Sequence, residues 1–268
     1  YEGGTGENGI DLVPGIEHKT KHRVVVIGSG PIRIGQGIEF DYGCVHAVGA
    51  IREMGHEAII INNNPETVST DFDTSDRLYF DPLNLESVSE ILLREKAHGI
   101  LLQFGGQTAI NLALPLSENL NHLERMGLSL SIEGTTPESV DEASDRKRFE
   151  DFAKRCNLRM PRGTTAIEPE GVREAVSRIG YPVLIRPSYV LGGRGMEILS
   201  NDDQLEAYMR EAYLSPERPL LIDEYLGNAI ELDVDAVCDG KEVLIGAIME
   251  HLEAVSYTHL RAHETTLD

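Results

Sequence analysis

Four consecutive apolar residues, Val24-Val25-Val26-Ile27, run straight into Gly28-Ser29-Gly30-Pro31-Ile32-Arg33-Ile34-Gly35-Gln36-Gly37. An apolar run this short, closed by glycine, reads as a strand buried on both faces, the kind found in parallel sheets covered by helices. A helix is expected over 40–54, closing at Gly55, and a second strand over 58–61. The step recurs with a helix over 85–96 and a strand over 99–103 that ends in Gly105-Gly106-Gln107-Thr108. Repeated β-α-β steps make a parallel α/β sheet, and such sheets bind ligands at the carboxyl edge of their strands. The loops 28–37, 62–71 and 105–108 therefore gather at that edge if their strands are neighbours. Each loop taken alone is equally well a tight turn with polar caps.

A dinucleotide fingerprint needs glycine where Arg33 stands and an acid where Asn62, Asn63 and Asn64 stand, so NAD is not the expected ligand. The polar stretch from Pro65 to Asp73 is too long for a simple turn, and loops of that kind are usually functional or disordered.

A fresh unit is expected from near Gly134. Thr136-Pro137-Glu138 opens one helix, and Ser144-Asp145-Arg146-Lys147-Arg148-Phe149 leads into another that ends about Asn157. Residues 162–166 are read as extended, 169–179 as a helix stopped by Gly180, and 183–185 as a strand that delivers Arg186. The loop after it contains Gly192, Gly193, Arg194 and Gly195. Glycine backbone can point several amide N–H groups at one anion, and arginine adds forked donors, which suits a nucleoside triphosphate. A glycine-rich hairpin with surface arginines fits the same spacing.

A helix over 202–214 and a strand over 220–224 come next, and then Ile230-Glu231-Leu232-Asp233-Val234-Asp235-Ala236-Val237. Acids alternate with apolar residues in this run, giving one apolar face and one carrying Glu231, Asp233 and Asp235. Three carboxylates can serve a metal or a ribose, or stand as a solvated face. Asp239-Gly240 reads as a hairpin turn into a strand over 243–249.

The formal charge of −21 excludes a nucleic-acid backbone or an anionic membrane as the main partner, since both need a basic surface. The 3 cysteines, Cys44, Cys156 and Cys238, lie far apart and suggest neither a disulfide framework nor a zinc site. No apolar run approaches the roughly 20 residues of a membrane helix, and no signal segment opens the chain; the expected location is cytoplasmic.

Several longer motifs carry a family resemblance. Gly35-Gln36-Gly37-Ile38-Glu39-Phe40-Asp41-Tyr42, Asn64-Pro65-Glu66-Thr67-Val68-Ser69-Thr70-Asp71, Gly105-Gly106-Gln107-Thr108 and Arg186-Pro187-Ser188-Tyr189-Val190-Leu191-Gly192-Gly193-Arg194 resemble the large subunit of carbamoyl phosphate synthetase, and within it the C-terminal synthetase half. The resemblance implies an α/β chain with a Rossmann-like pre-ATP-grasp domain followed by an ATP-grasp domain, incomplete here. It implies ATP-dependent phosphorylation of carbamate, with bicarbonate and glutamine-derived ammonia as overall substrates, for arginine and pyrimidine biosynthesis. The implied partners are a glutaminase small subunit or fused glutaminase domain, and the N-terminal synthetase half.

Carried over position by position, Arg146 and Arg186 hold ATP phosphates, with Arg186 the catalytic residue. Gly192 and Gly193 cover them, Glu224 and Leu226 meet the adenine side, and Glu231 binds the ribose. The cofactors implied are ATP with Mg²⁺ (or Mn²⁺), whose ligands in the family lie beyond the matched stretch.

The expected organisation is a linker over 1–21, the pre-ATP-grasp domain over 22–140, a truncated ATP-grasp domain over 141–253, and an aberrant tail over 254–268 with the look of a translated sequencing artefact. His259, His263 and Glu264 form a metal-like pattern inside that tail. A sheet cut open at this point leaves an edge and apolar surface uncovered, so the isolated chain is expected to be inactive and poorly soluble. A biotin-dependent carboxylase or a nucleotide-binding module without catalysis are the alternative readings; dependence on biotin instead of ammonia, or absence of ATP hydrolysis by the parent, separates them.

Overall fold

The computed structural model describes residues 21–32, 37–187, 195–211, 219–227, 229–230 and 232–250, without the side chains of Arg146 and Glu211. The linker over 1–20, Arg33, Gly192, Gly193, Glu231 and everything expected of 251–268 lie outside the described residues. The chain divides into two compact units, the first running to Ala143 with Ala236–Gly246 grouped to it, the second running over Ser144–Asp235 and from Ala247 onward.

In the first unit, β1 (Arg23–Ile27), α1 (Glu39–Glu53), β2 (Glu57–Ile61), a 3₁₀ turn (Val68–Thr70), β3 (Arg77–Tyr79), α2 (Leu85–Glu95), β4 (Gly99–Leu101), α3 (Gly106–Ile110), α4 (Ala113–Arg125), β5 (Ser131–Glu133) and α5 (Pro137–Ser144) succeed one another in chain order. The strands form one five-stranded sheet in the order β3-β2-β1-β4-β5, and every pair in it is parallel. Val24, Val25, Val26 and Ile27 have no exposed surface at all, because both faces of the sheet are covered. Val25, Ile27, Ile59, Ile61 and Ile100 pack with Val88, Leu92, Leu116 and Leu123 of α2 and α4. Val24, Val26, Ala58, Ile60 and Leu101 turn the other way, onto Cys44, Val48 and Ile51 of α1. The alternation of a strand thus feeds two apolar layers, and unbroken apolar sequence is the result.

The second unit contains α6 (Arg146–Arg155), β6 (Gly163–Ala166), α7 (Pro169–Ile179), β7 (Val183–Pro187), β8 (Glu197–Leu199), α8 (Asp202–Glu211) and β9 (Leu220–Glu224). Its sheet is four-stranded and ordered β6-β9-β7-β8, with antiparallel pairing throughout. One face is the core: Val183, Ile185, Leu199, Leu220 and Ile222 pack on Val172, Val176, Ile179 and Leu205. Asp145 caps α6 by accepting the Arg148 N–H at 2.8 Å, and Pro169 opens α7, both normal start signals.

A two-stranded sheet, β10 (Leu232–Cys238) with β11 (Val243–Glu250), closes the described chain. Every residue of both strands is exposed. The alternation over 230–237 predicts an apolar face set against a polar one, yet Leu232, Val234, Val237, Leu244, Ile245 and Ile248 are all open.

Gly105 crosses the sheet edge so closely that a Cβ there meets the Ile27 carbonyl oxygen at 2.4 Å and that of Gly28 at 2.5 Å. Gly105→Ala forces two backbone segments apart and is expected to cost about 3 kcal/mol, in the range of severe overpacking; urea denaturation of the variant beside the parent chain measures it.

Candidate functional site

Each unit carries a cluster of polar groups at its sheet that bears on the expected site. In the first unit the order β2-β1-β4 puts the loops after these strands side by side, at the point where the strand order reverses. The Gly28 N–H donates to the Ile61 carbonyl at 2.9 Å. Asn62 then becomes the hub of the edge, at 1% exposure. Its Oδ1 accepts the Gly30 N–H at 2.9 Å, and its Nδ2 donates to Ser69 Oγ at 2.9 Å. The Ser69 N–H points at the carboxylate of Asp41, 3.3 Å from each oxygen. Gly28 is required by this hub, since a Cβ there falls 2.3 Å from Asn62 Cγ.

The polar stretch after Asn64 is ordered by its own bonds. Thr70 Oγ1 donates to the carbonyls of Asn64 and Thr67 at 2.8 and 2.9 Å, and Thr74 Oγ1 donates to that of Val68 at 2.7 Å. Arg52 reaches across from α1 to the Thr74 carbonyl at 3.1 Å. Asn62 stands where a dinucleotide site has its acid, and its side chain is spent inside the protein. Cys44 packs beneath the edge with no exposed surface; burial first, and then the Asp41 carboxylate, push its thiol up to about 12. It stays a neutral thiol and is no nucleophile.

In the second unit Arg186 lies two residues beyond Leu184 on the sheet face opposite Val183 and Ile185, away from α7 and α8. Leu184 opposes Asp223, and Arg186 opposes Leu221, so Arg186 and Asp223 are diagonal neighbours on that face. Arg186 Nη2 stands 3.6 Å from Asp223 Oδ2, and the side chains are only 11% and 18% exposed. The guanidinium is thus largely buried beside that carboxylate.

Glu224, one residue on, points the other way. Arg162 grips it from the start of β6, Nε to Oε2 and Nη2 to Oε1 at 3.1 Å each, and the Arg162 N–H adds a third bond at 3.2 Å. These bonds hold the Glu224 carboxyl below its ordinary value. Glu224 therefore ties β6 to β9, with its carboxylate committed to Arg162. Leu226 is 43% exposed just past the strand. The glycine-rich segment after β7 rejoins the described chain at Gly195, whose carbonyl accepts the buried Tyr208 hydroxyl at 2.8 Å; burial, then Glu197, raises that phenol to about 12.

The structure thus places Arg186 and Glu224 on one sheet, on opposite faces, with Leu226 two residues beyond β9. Arg146 opens α6, and its side chain lies outside the described residues, as do Gly192, Gly193 and Glu231. Sequence reasoning missed Asp223 and Arg162, the partners that fix Arg186 and Glu224, and it missed the Asn62–Ser69–Asp41 chain. Only the acidic pair Asp223-Glu224 at a strand end hinted at the first two.

Asn62→Ala strands a buried N–H at Gly30 and a buried hydroxyl at Ser69, so a loss of about 2–4 kcal/mol is expected. Denaturant melts of the variant check this, with Asn62→Asp losing less because the Ser69 hydroxyl can turn to donate.

Residues 20–142 match the carbamoyl phosphate synthase preATP-grasp domain, and residues 145–260 match the carbamoyl-phosphate synthase L chain, ATP binding domain. The carbamoyl phosphate synthase large chain of Methanothrix thermoacetophila is 58% identical over 232 residues, which are 86% of this chain and 21% of that protein. The C-terminal section of the large chain from Methanocaldococcus jannaschii is 58% identical over 238 residues, 87% of this chain and 37% of that one. This chain therefore spans about a fifth of the full large chains it matches. Among solved structures, the biotin carboxylase domain of Hydrogenobacter thermophilus 2-oxoglutarate carboxylase aligns with TM-score 0.62 at 21% identity, over 87% of this chain and 51% of that one. N5-carboxyaminoimidazole synthetase from Staphylococcus aureus aligns with TM-score 0.58 at 12% identity, over 88% and 56%. Such identities speak for a shared fold alone. With the family's two successive domain models on its two units, and relatives of the same name at 58% identity, the chain belongs to the carbamoyl phosphate synthase large-chain family.

Proposed function

We propose that this chain is part of a carbamoyl phosphate synthase large chain, an ATP-dependent ligase, and that its second unit takes part in phosphorylating carbamate to carbamoyl phosphate. The overall substrates are bicarbonate, glutamine-derived ammonia and ATP, and the product serves arginine and pyrimidine biosynthesis. The domains are 22–140 and 141–253. The partners are a glutaminase subunit or domain and the other synthetase half of the same large chain, and the location is the cytoplasm. Among the described residues no helix is long and apolar enough to cross a membrane.

The observation that carries the reading is Arg186. Its guanidinium is held by Asp223 on the sheet face away from the helices, directly before the glycine-rich segment and inside a unit that matches an ATP binding domain. A triphosphate asks for this chemistry: a fixed cation and forked donors against oxygens that gain charge in the transition state. The exposed Leu226 and the turn after β9 suit a flat base. The assignments of Arg146, Gly192 and Gly193 to phosphate, Glu224 and Leu226 to the adenine side, and Glu231 to ribose belong to the same proposal.

Among the described residues no group of three His, Cys, Asp or Glu could hold a metal. Mg²⁺ (or Mn²⁺) belongs to the same proposal as a companion of ATP, with its protein ligands in the stretch of the parent beyond the matched residues. Keeping water out matters twice over here, because it strengthens Arg186 electrostatically and protects a carbamate that falls apart in solution.

The test is carbamoyl phosphate formation by the full-length protein from bicarbonate, ammonia and ATP. Arg186→Met is expected to lower kcat by about 10²–10³-fold, the usual loss for one aimed cationic donor, assayed well below the variant's melting midpoint, which is expected to fall because Asp223 loses the Arg186 ion pair. Full activity in that variant overturns the assignment, and an active protein that needs biotin overturns the family chemistry.

A further inference from the structure

At the edge of the first sheet opposite the polar hub, the central strand begins in an unusual way. The His22 carbonyl accepts the Glu57 N–H at 2.8 Å, and the Arg23 carbonyl accepts the His98 N–H at 2.9 Å. These are ordinary parallel-ladder bonds. The N–H groups of the same two residues do not go to backbone. The His22 N–H donates to Nδ1 of His56 at 3.2 Å, and the Arg23 N–H donates to Nδ1 of His98 at 3.1 Å. Each flanking strand, just before it starts, sends one imidazole back to close the end of β1. The His22 ring lies edge-on to both, 5.2 Å from His56 and 4.8 Å from His98 between centroids. His56 is 2% exposed.

An imidazole nitrogen that accepts an N–H must keep its lone pair, so both rings serve the fold only as neutral Nε2–H tautomers. A proton on Nδ1 sets two N–H groups against each other and places charge beside the other rings. We propose that His56 and His98 form a pH-sensitive latch on the start of β1, closed when neutral and released by acid.

The charged surroundings do not favour protonation. Lys21 just before β1, Arg23 on β1 and Arg77 on β3 converge on Glu57 at 3.5, 3.1 and 3.8 Å. Arg77 and the Tyr79 hydroxyl also engage Glu95 at the end of α2, and Arg23 Nη1 donates to the Glu95 carbonyl at 2.7 Å. Asp76 is taken up by the Ala58 N–H at 2.8 Å, with Arg52 4.0 Å away. Lys96 succeeds α2 as its left-handed cap. The carboxylates are thus committed to basic groups and amides, and the charges that act on His98 are those of His22 and Arg23. Burial, then His22 and Arg23, hold His98 below its ordinary 6.5. A lowered folded value means that the stabilisation is complete above about pH 6.5 and is lost as pH falls from there through the folded value.

The test is amide hydrogen exchange of the β1 segment in the full chain, corrected for intrinsic rates, at about pH 7.5 and about pH 5.5, a range that spans ordinary histidine titration. Opening is expected to rise in the parent chain, by at most about tenfold for each histidine held neutral across the range. The double variant His56→Asn, His98→Asn carries Oδ1 acceptors in place of both Nδ1 atoms and cannot titrate, so its opening stays level. An equal rise in the variant, or no rise in the parent chain, overturns the latch. Should the variant fail to fold, ¹⁵N resonances of the parent's imidazoles decide. An Nε2–H tautomer at His98 that titrates below the ordinary value supports the proposal; an Nδ1–H tautomer, or titration at or above that value, refutes it.

Discussion

The first unit depends on β1 being paired on both sides. A central parallel strand has no solvent face and no free edge, so each of its groups must be met by another part of the chain. Val24–Ile27 meet this demand with side chains of full burial and ladders to β2 and β4. The cost appears at the two ends, where the ladders stop and the chain must turn. At the carboxyl end it is met by Asn62 and by two glycines that let backbone pass at contact distance. At the amino end it is met by imidazoles.

The second unit solves a different problem. Its antiparallel sheet packs α7 and α8 on one face, and the other carries Leu184, Arg186 and Asp223, which are themselves largely buried. Ile185 is buried without remainder while its neighbour Arg186 turns to the opposite face. The period of two along a strand sends residues one position apart to opposite faces. Asp223 and Glu224 divide in the same way, the first facing Arg186 and the second locked to Arg162.

Long elements with a strong pattern are readable from sequence. Four-residue apolar runs announce β1 and β2, and the helices α1, α2, α6 and α7 show apolar spacing with usable start or stop signals. Of the three-residue strands only β4 is announced, by the apolar run Ile100-Leu101-Leu102; β3, β5 and β8 lie in mixed sequence, where three residues contain barely one repeat of a period of two. Helix α4 carries Pro115 and the mixed run Ser117-Glu118-Asn119 inside it, which masks its apolar stripe. The alternating run before Asp239 is legible as a strand, but alternation says nothing of whether a partner covers its apolar side.

The sequence by itself determined the parallel α/β character of the first unit, the edge where its loops meet, and the chemical types placed after β7 and β9. It did so because strand and helix periods, glycine turns and caps are properties of neighbouring residues. Only the tertiary structure decided that Asn62 reaches Gly30 and Ser69, that Arg186 pairs with Asp223, and that His56 and His98 accept the first N–H groups of β1. Most of these contacts join residues more than thirty positions apart. Their existence rests on strand order and register, and a slip of one residue turns every side chain of a strand to the other face.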